Sequence, residues 1–232
     1  MTLKVEAIDT FYGTSHILHG VSLDVADGEL YAVLGRNGAG KTTLLRSITG
    51  VNPPRAGAIR LDGTDITGLK SHHRARLGIS YVPQGRDIIP DLTVAENIYL
   101  ALLGKGRKSG RIPDLVFEYF PALRPLVDHK GGTLSGGQQQ QLAIARALVQ
   151  EPKLLLMDEP TEGLQPSVVE EIDTIINRIP GERNCAVLLV EPNLDFVRDI
   201  TQRFAILDTG RIAAQGDISG LTEDVVRKHL QV

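Results

Sequence analysis

The chain is 232 residues long, 42% apolar and 23% charged, with 25 basic side chains against 28 acidic ones and 24 glycines. That composition buries a sizeable core between many tight turns and excludes disordered and fibrous classes, while a net charge of −3 offers no basic face for attachment to a nucleic-acid backbone. The single cysteine, Cys185, can form no internal disulfide, and no apolar run approaches the ~18 residues of a spanning helix, so a soluble chain in the reducing cytoplasm is expected.

The opening stretch, Met1 to Ile8, carries charges where a signal peptide needs an apolar core. Val21–Val25 alternates polar and apolar residues, as a half-buried strand does. Leu30–Leu34 is apolar throughout and reads as a strand buried on both faces, and Lys41–Thr49 reads as a helix. A strand is expected at Ile79–Val82, then a helix-dominated stretch over roughly 93–150, ending in a helix over Gln138–Gln150. Within it Lys105, Arg107, Lys108 and Arg111 form a basic loop, solvated or placed near anionic lipid when docked at a membrane. Strands at Lys153–Met157 and Ala186–Val190 flank a helix over Pro166–Arg178, whose proline suits a first helical turn. A hairpin closes the pattern, Phe204–Leu207 and Arg211–Gln215 about Asp208-Thr-Gly210. Strands alternating with helices imply a mostly parallel sheet covered on both faces. One domain over 1–232 is expected, with the helical stretch inserted into its α/β core.

Directly after Leu34 stands Gly35-Arg36-Asn37-Gly38-Ala39-Gly40-Lys41-Thr42, which fits G-x-x-x-x-G-K-[ST] between a strand and a helix. The glycines let backbone N–H groups converge on a phosphate, and the helix N-terminus adds its positive end. Lys41 can then reach the β and γ phosphates, and the Thr42 hydroxyl can ligate Mg²⁺. Hydrolysis needs more. The buried run Leu154–Met157 ends in Asp158-Glu159; a turn at the strand end would present both carboxylates to one crevice, Asp158 to the Mg²⁺ shell and Glu159 to the attacking water. Cys185, among apolar neighbours, reads as a small buried hydrophobe. His16, His19, His72 and His73 lack a carboxylate or cysteine at ligand spacing and read as surface or packing residues.

A third segment, Leu134-Ser135-Gly136-Gly137-Gln138, opens the last helix of the insert, twenty residues before Asp158. Ser135 and the N–H groups of Gly136 and Gly137 make a second helix-terminus anion site. With the phosphate loop and the acidic pair in this order, the whole chain resembles the ATP-binding subunits of the ABC transporter family. The resemblance implies the α/β P-loop NTPase fold of an ABC ATPase domain, with a mostly parallel core sheet, an antiparallel β subdomain and a helical insert. It implies ATP and Mg²⁺ as ligands over Gly35–Thr43, and a second ABC ATPase subunit, identical or similar, whose Ser135-type turn completes the site in trans. Permease subunits and, indirectly, a solute-binding protein are the implied partners, at the inner face of a membrane, docked near Gln84–Asn97.

Further positions follow from the same resemblance. Tyr12 matches an aromatic that stacks on adenine, with an ordinary strand tyrosine as the alternative. Gln84 matches a loop glutamine that touches Mg²⁺ and the attacking water, and Arg146 a basic residue of structural or steering role. Two positions depart from the family pattern: Gln165 where an aspartate signals across the dimer, and Pro192 where a histidine contacts the γ phosphate. Proline has neither a side-chain donor nor an N–H, so hydrolysis is expected to lean on Glu159 and Gln84, with Asn193 as a partial substitute. Thr161–Pro166, Val190-Glu191 and the glutamines Gln138–Gln141 resemble the importer ATPases for urea and branched-chain amino acids, the urea type more. A soluble, non-transport ABC ATPase and an ATP-gated switch with little hydrolysis are the other readings.

Overall fold

The computed structural model describes residues 3–104 and 111–230. The chain opens with β1 (Leu3–Tyr12) and β2 (Ser15–Val25), then β3 (Leu30–Leu34) and α1 (Lys41–Thr49). Next come β4 (Ala56–Leu61), β5 (Thr64–Asp65), α2 (Ser71–Arg76) and β6 (Ile79–Val82). Three helices follow, α3 (Val94–Gly104), α4 (Asp114–Tyr119) and α5 (Gly136–Leu148). The last third holds β7 (Leu154–Asp158), α6 (Pro166–Arg183), β8 (Ala186–Glu191), α7 (Leu194–Ile200), β9 (Arg203–Asp208), β10 (Arg211–Asp217) and α8 (Glu223–His229).

Two sheets form. The larger has the order β10-β9-β3-β8-β7-β6, with parallel pairings throughout except the antiparallel β9–β10 hairpin. That hairpin turns on Thr209 at φ 46 and Gly210 at φ 76, the double left-handed turn that matches strand twist. The smaller sheet, β2-β1-β4-β5, is antiparallel.

Strand alternation splits the core. Leu30, Ala32 and Leu34 of β3, with Leu155 and Met157 of β7, face a cluster completed by helices α3 to α8. Tyr31 and Val33, with Leu154 and Leu156, face the opposite cluster, which holds Leu44, Leu45 and Ile48 of α1 and the inner face of the antiparallel sheet. Helix α1 therefore lies between the two sheets. Its far end is fastened by Arg74, fully buried, whose guanidinium donates to Ser47 O and Ile48 O at the end of α1 and to Thr67 O and Leu69 O beyond β5, at 2.7–2.9 Å.

Several boundaries differ from expectation. Helix α5 starts at Gly136 because Ser135 caps it, and ends at Leu148. Helix α6 runs on to Arg183 through Pro180; the stripe Ile172, Ile175, Ile176 and Ile179, all buried, continues a helical period across the point where proline removes one bond. Strands β1, β4 and β5 and helices α2, α7 and α8 were not expected. The stretch 94–148 is helical among the described residues, and its apolar side chains share one cluster with the parallel sheet. Lys105, Arg107 and Lys108 lie outside the described residues; Arg111 pairs with Asp114 at 3.3 Å. No described helix is long and apolar enough to cross a membrane.

Candidate functional site

The C-terminal ends of β3, β8, β7 and β6 lie in that order across the sheet, and the turns after β3, β7 and β6 carry polar residues into one cleft, as expected for an open α/β sheet. Two glycines shape the first turn. A Cβ on Gly35 would sit 2.5 Å from Leu207 O, and Gly40 adopts φ 108 with Leu18 Cδ2 only 2.9 Å from where its Cβ would be. No other residue fits at Gly40 without strain. The cleft, about 360 Å³, is lined by Asn37, Gly38, Gly40, Lys41, Thr42, Thr43, Gln84 and Glu159, with Ile17 at its edge.

Lys41 is 4% exposed. Its ammonium donates to Gly35 O at 2.8 Å and Arg36 O at 3.3 Å, and meets Glu159 Oε1 at 3.1 Å. Asp158, the last residue of β7, is 1% exposed. Thr42 Oγ1 donates to its Oδ1 at 3.2 Å and Tyr81 OH to its Oδ2 at 2.9 Å. Burial raises the Asp158 carboxyl above the usual range, opposed by these two bonds and by Lys41. Glu159 follows at φ 48, so the chain turns at the strand end and swings its carboxylate back toward Lys41. Gln84, in the turn after β6, donates to Glu159 Oε2 at 3.3 Å and Glu162 Oε2 at 2.9 Å.

Tyr12 ends β1 with 43% of its surface exposed, its hydroxyl accepting from Arg46 Nη1 of α1 at 3.3 Å. It is thus an exposed ring beside the phosphate helix rather than a half-buried strand residue. The 134–138 turn lies elsewhere: none of its residues lines the cleft. There Ser135 Oγ accepts from Gln138 N at 3.3 Å and Gln138 Oε1 accepts from Ser135 N at 2.9 Å, a capping box. Gly137 packs so closely on α6 that a Cβ would sit 2.6 Å from Val168 Cγ1. Gln165 is the exposed N-cap residue of α6 and makes no side-chain cap bond. Pro192 is exposed just after β8. Asn193 Oδ1 accepts from Phe196 N at 3.2 Å to cap α7.

The sequence reading assigns no site role to three side chains found beside the cleft residues: Tyr81, and the pair Thr161 and Glu191. Thr161 Oγ1 donates to Glu191 Oε1. Elsewhere, the β1–β2 hairpin brings Asp9 Oδ1 within 2.8 Å of His16 Nε2, a carboxylate partner that linear spacing concealed; His16 also stacks on Phe11 at 4.1 Å. Among the described residues no group of three or more histidine, cysteine or acidic side chains could hold a metal by itself. Cys185 is buried, its thiol pushed up to about 12 by burial. Arg146 donates to Asp87 O at 2.6 Å and lines a second groove of about 350 Å³ with Tyr81, Pro83, Arg86, Asp87 and Leu100.

The family described as ABC transporter matches residues 18–162. The high-affinity branched-chain amino acid transport ATP-binding protein BraG of Pseudomonas aeruginosa is 39% identical over 211 residues, 90% of each chain. The probable branched-chain amino acid transport ATP-binding protein LivF of Archaeoglobus fulgidus is 38% identical, over 95% of this chain and 94% of its own. Among solved structures, a dimeric ATP-binding cassette in a post-hydrolysis state with ADP and Pi superposes with a TM-score of 0.84 at 28% identity, covering 93% of this chain and 98% of that one.

Proposed function

Because the chain belongs to the ABC transporter family as an ATP-hydrolysing subunit, we propose that it drives import of an amino acid, the branched-chain class first, as one half of an ATPase pair docked on permease subunits. The observation that carries this is the single network of Lys41, Glu159 and Gln84 in one cleft, joined to a likeness to BraG and LivF along nearly the whole chain. Urea, which the glutamine run favoured, gains no support from these relatives. The amino-acid alternative does.

The residues present fit a magnesium nucleotide. Gly35 and Gly40 let the phosphate turn pack against Leu207 and Leu18, where a Cβ would collide, so that Gly38, Gly40 and Lys41 line the cleft, and the oxygens of Thr42, Asp158 and Gln84 are the hard donors Mg²⁺ takes. These three would hold the ion, which when bound neutralises charge on the phosphates. In this reading the N–H groups of the 35–43 turn and the Lys41 ammonium bind the triphosphate, the ammonium moving from Glu159 to phosphate. Glu159, released, orients and deprotonates the water, with Gln84 holding its carboxylate. Tyr12 offers its exposed ring to the adenine. The Gly136 and Gly137 N–H groups of a second subunit close on the γ phosphate, with Ser135 and Gln138 shaping that turn beside Leu134, and Gln165 lies at the pair's seam. The groove beside Arg86 and Leu100 would receive the permease at the membrane's inner face.

The test is uptake. In cells whose own copy carries Lys41→Ala, accumulation of labelled leucine should fall to background while urea uptake stays unchanged; the reverse pattern would overturn the amino-acid reading.

A further inference from the structure

Strand order sets Glu191 between the phosphate loop and the acidic pair. On one side its register partner is Leu34, the residue before Gly35; on the other, its neighbour Val190 pairs with Asp158. The Glu191 side chain is 1% exposed. Its Oε1 accepts from Thr161 Oγ1, and among the described residues its Oε2 has no hydrogen-bond partner.

The turn that carries Glu159 is anchored to β8 twice. Glu159 N donates to Val190 O at 2.9 Å, and Glu162 N to Glu159 O at 3.1 Å closes the turn. Thr161, inside that turn, supplies the second anchor through Glu191. Glu159 itself sits at φ 48, a conformation that persists in a non-glycine residue only where its surroundings enforce it.

We infer that Glu191 is a positioning residue for Glu159: its buried side chain holds, through Thr161, the Glu159–Glu162 turn in the shape that turns the Glu159 carboxylate into the cleft. The inference rests on the reading of Glu159 as the residue that orients the attacking water. A carboxylate buried with a single hydrogen bond is penalised as an anion, whereas the neutral acid is tolerated. Accordingly burial pushes the Glu191 carboxyl up to about 7; the Thr161 bond opposes the rise, Glu159 adds to it, Lys41 opposes it, and Glu162 adds to it. Those are the charged groups facing it, Lys41 from the phosphate loop and the two acids from the turn after β7. Once ionised, Glu191 becomes a third carboxylate competing for the one ammonium of Lys41.

The test is steady-state phosphate release by the full chain with its partner subunits, from pH 5.5 to 9. Glu191→Ala should lower kcat about tenfold with KM for ATP within about twofold of the parent. Thr161→Val, which removes the same bond while leaving the site filled, should do the same, and keeps the test alive if Glu191→Ala fails to fold. Glu191→Gln, neutral and nearly isosteric, should keep the parent rate at pH 6 and lose the parent's decline above pH 7. Parent kcat in Thr161→Val, a loss carried by KM alone, or a decline above pH 7 shared by Glu191→Gln would overturn the inference. Glu159→Gln separates the premise: if it is inactive while Thr161→Val is normal, only the positioning role falls; if it turns over at the parent rate, both fall.

Discussion

Helix α1 starts without a side-chain cap, on Gly40 in a left-handed conformation, whereas α5 starts inside a capping box. The first turn of any α-helix holds N–H groups with no partner within the helix. At α1 nothing from a side chain covers them, and the lysine beside them is held only by two carbonyls and Glu159, all of which an anion can replace. At α5 the box consumes the Ser135 and Gln138 N–H groups and leaves Gly136 and Gly137 as the contact. Under the proposed function, one tip grips charge within a single chain and the other touches it lightly from outside.

Breaking the gripping side has the largest effect. Lys41→Ala should weaken ATP binding roughly 10³-fold, about 4 kcal/mol for two charge-assisted contacts; calorimetric titration that finds affinity within tenfold of the parent would erase the contrast. The cost of a gripping site built from buried charge should also be visible in stability. The Glu191 pKa is raised in the folded chain, from 4.5 to about 7, so the native state keeps a proton that the unfolded chain has lost. Parent stability should therefore fall as pH rises from about 4.5 to about 7 and then level. Urea denaturation should show Glu191→Gln gaining on the parent across that window, by about 3 kcal/mol at pH 8, with little difference at pH 4.5.

The lighter tip is probed by Gly137→Ala, whose methyl group meets Val168. Overpacking there, about 1–2 kcal/mol, should reduce turnover about tenfold while leaving ADP affinity unchanged, and Val168→Ala in the same chain should restore the rate. Loss of ADP affinity would mean the two tips are not independent. The smallest effect is expected from Pro192→His, a gain of roughly threefold in turnover from one added donor; no gain would show that Pro192 is not what limits the rate.

The phosphate loop was legible because its chemistry is local: strand, glycines, lysine and helix are contiguous, and the apolar runs Leu30–Leu34, Leu154–Met157 and Ala186–Val190 can belong only to a doubly covered sheet. Strand β1 was not, because register shifts between Val5 and Ile8 and between Thr10 and Phe11 break its alternation. Helix α2, Ser-His-His-Arg-Ala-Arg, has no apolar stripe to announce it. Glu191 is buried because β8 lies between β3 and β7, a fact of topology that no neighbouring residue encodes. Solute identity was out of reach for a different reason: no group in the cleft distinguishes leucine from urea.

Arg74 gives α1 a property that neither sheet supplies. With its guanidinium clasping the helix's last carbonyls and the chain just beyond β5, α1 is a strut bolted at the end remote from the phosphate. A tug on its tip cannot be lost as local fraying. The same helix holds Tyr12 through Arg46, so the adenine-side ring and the phosphate turn share one fastened support.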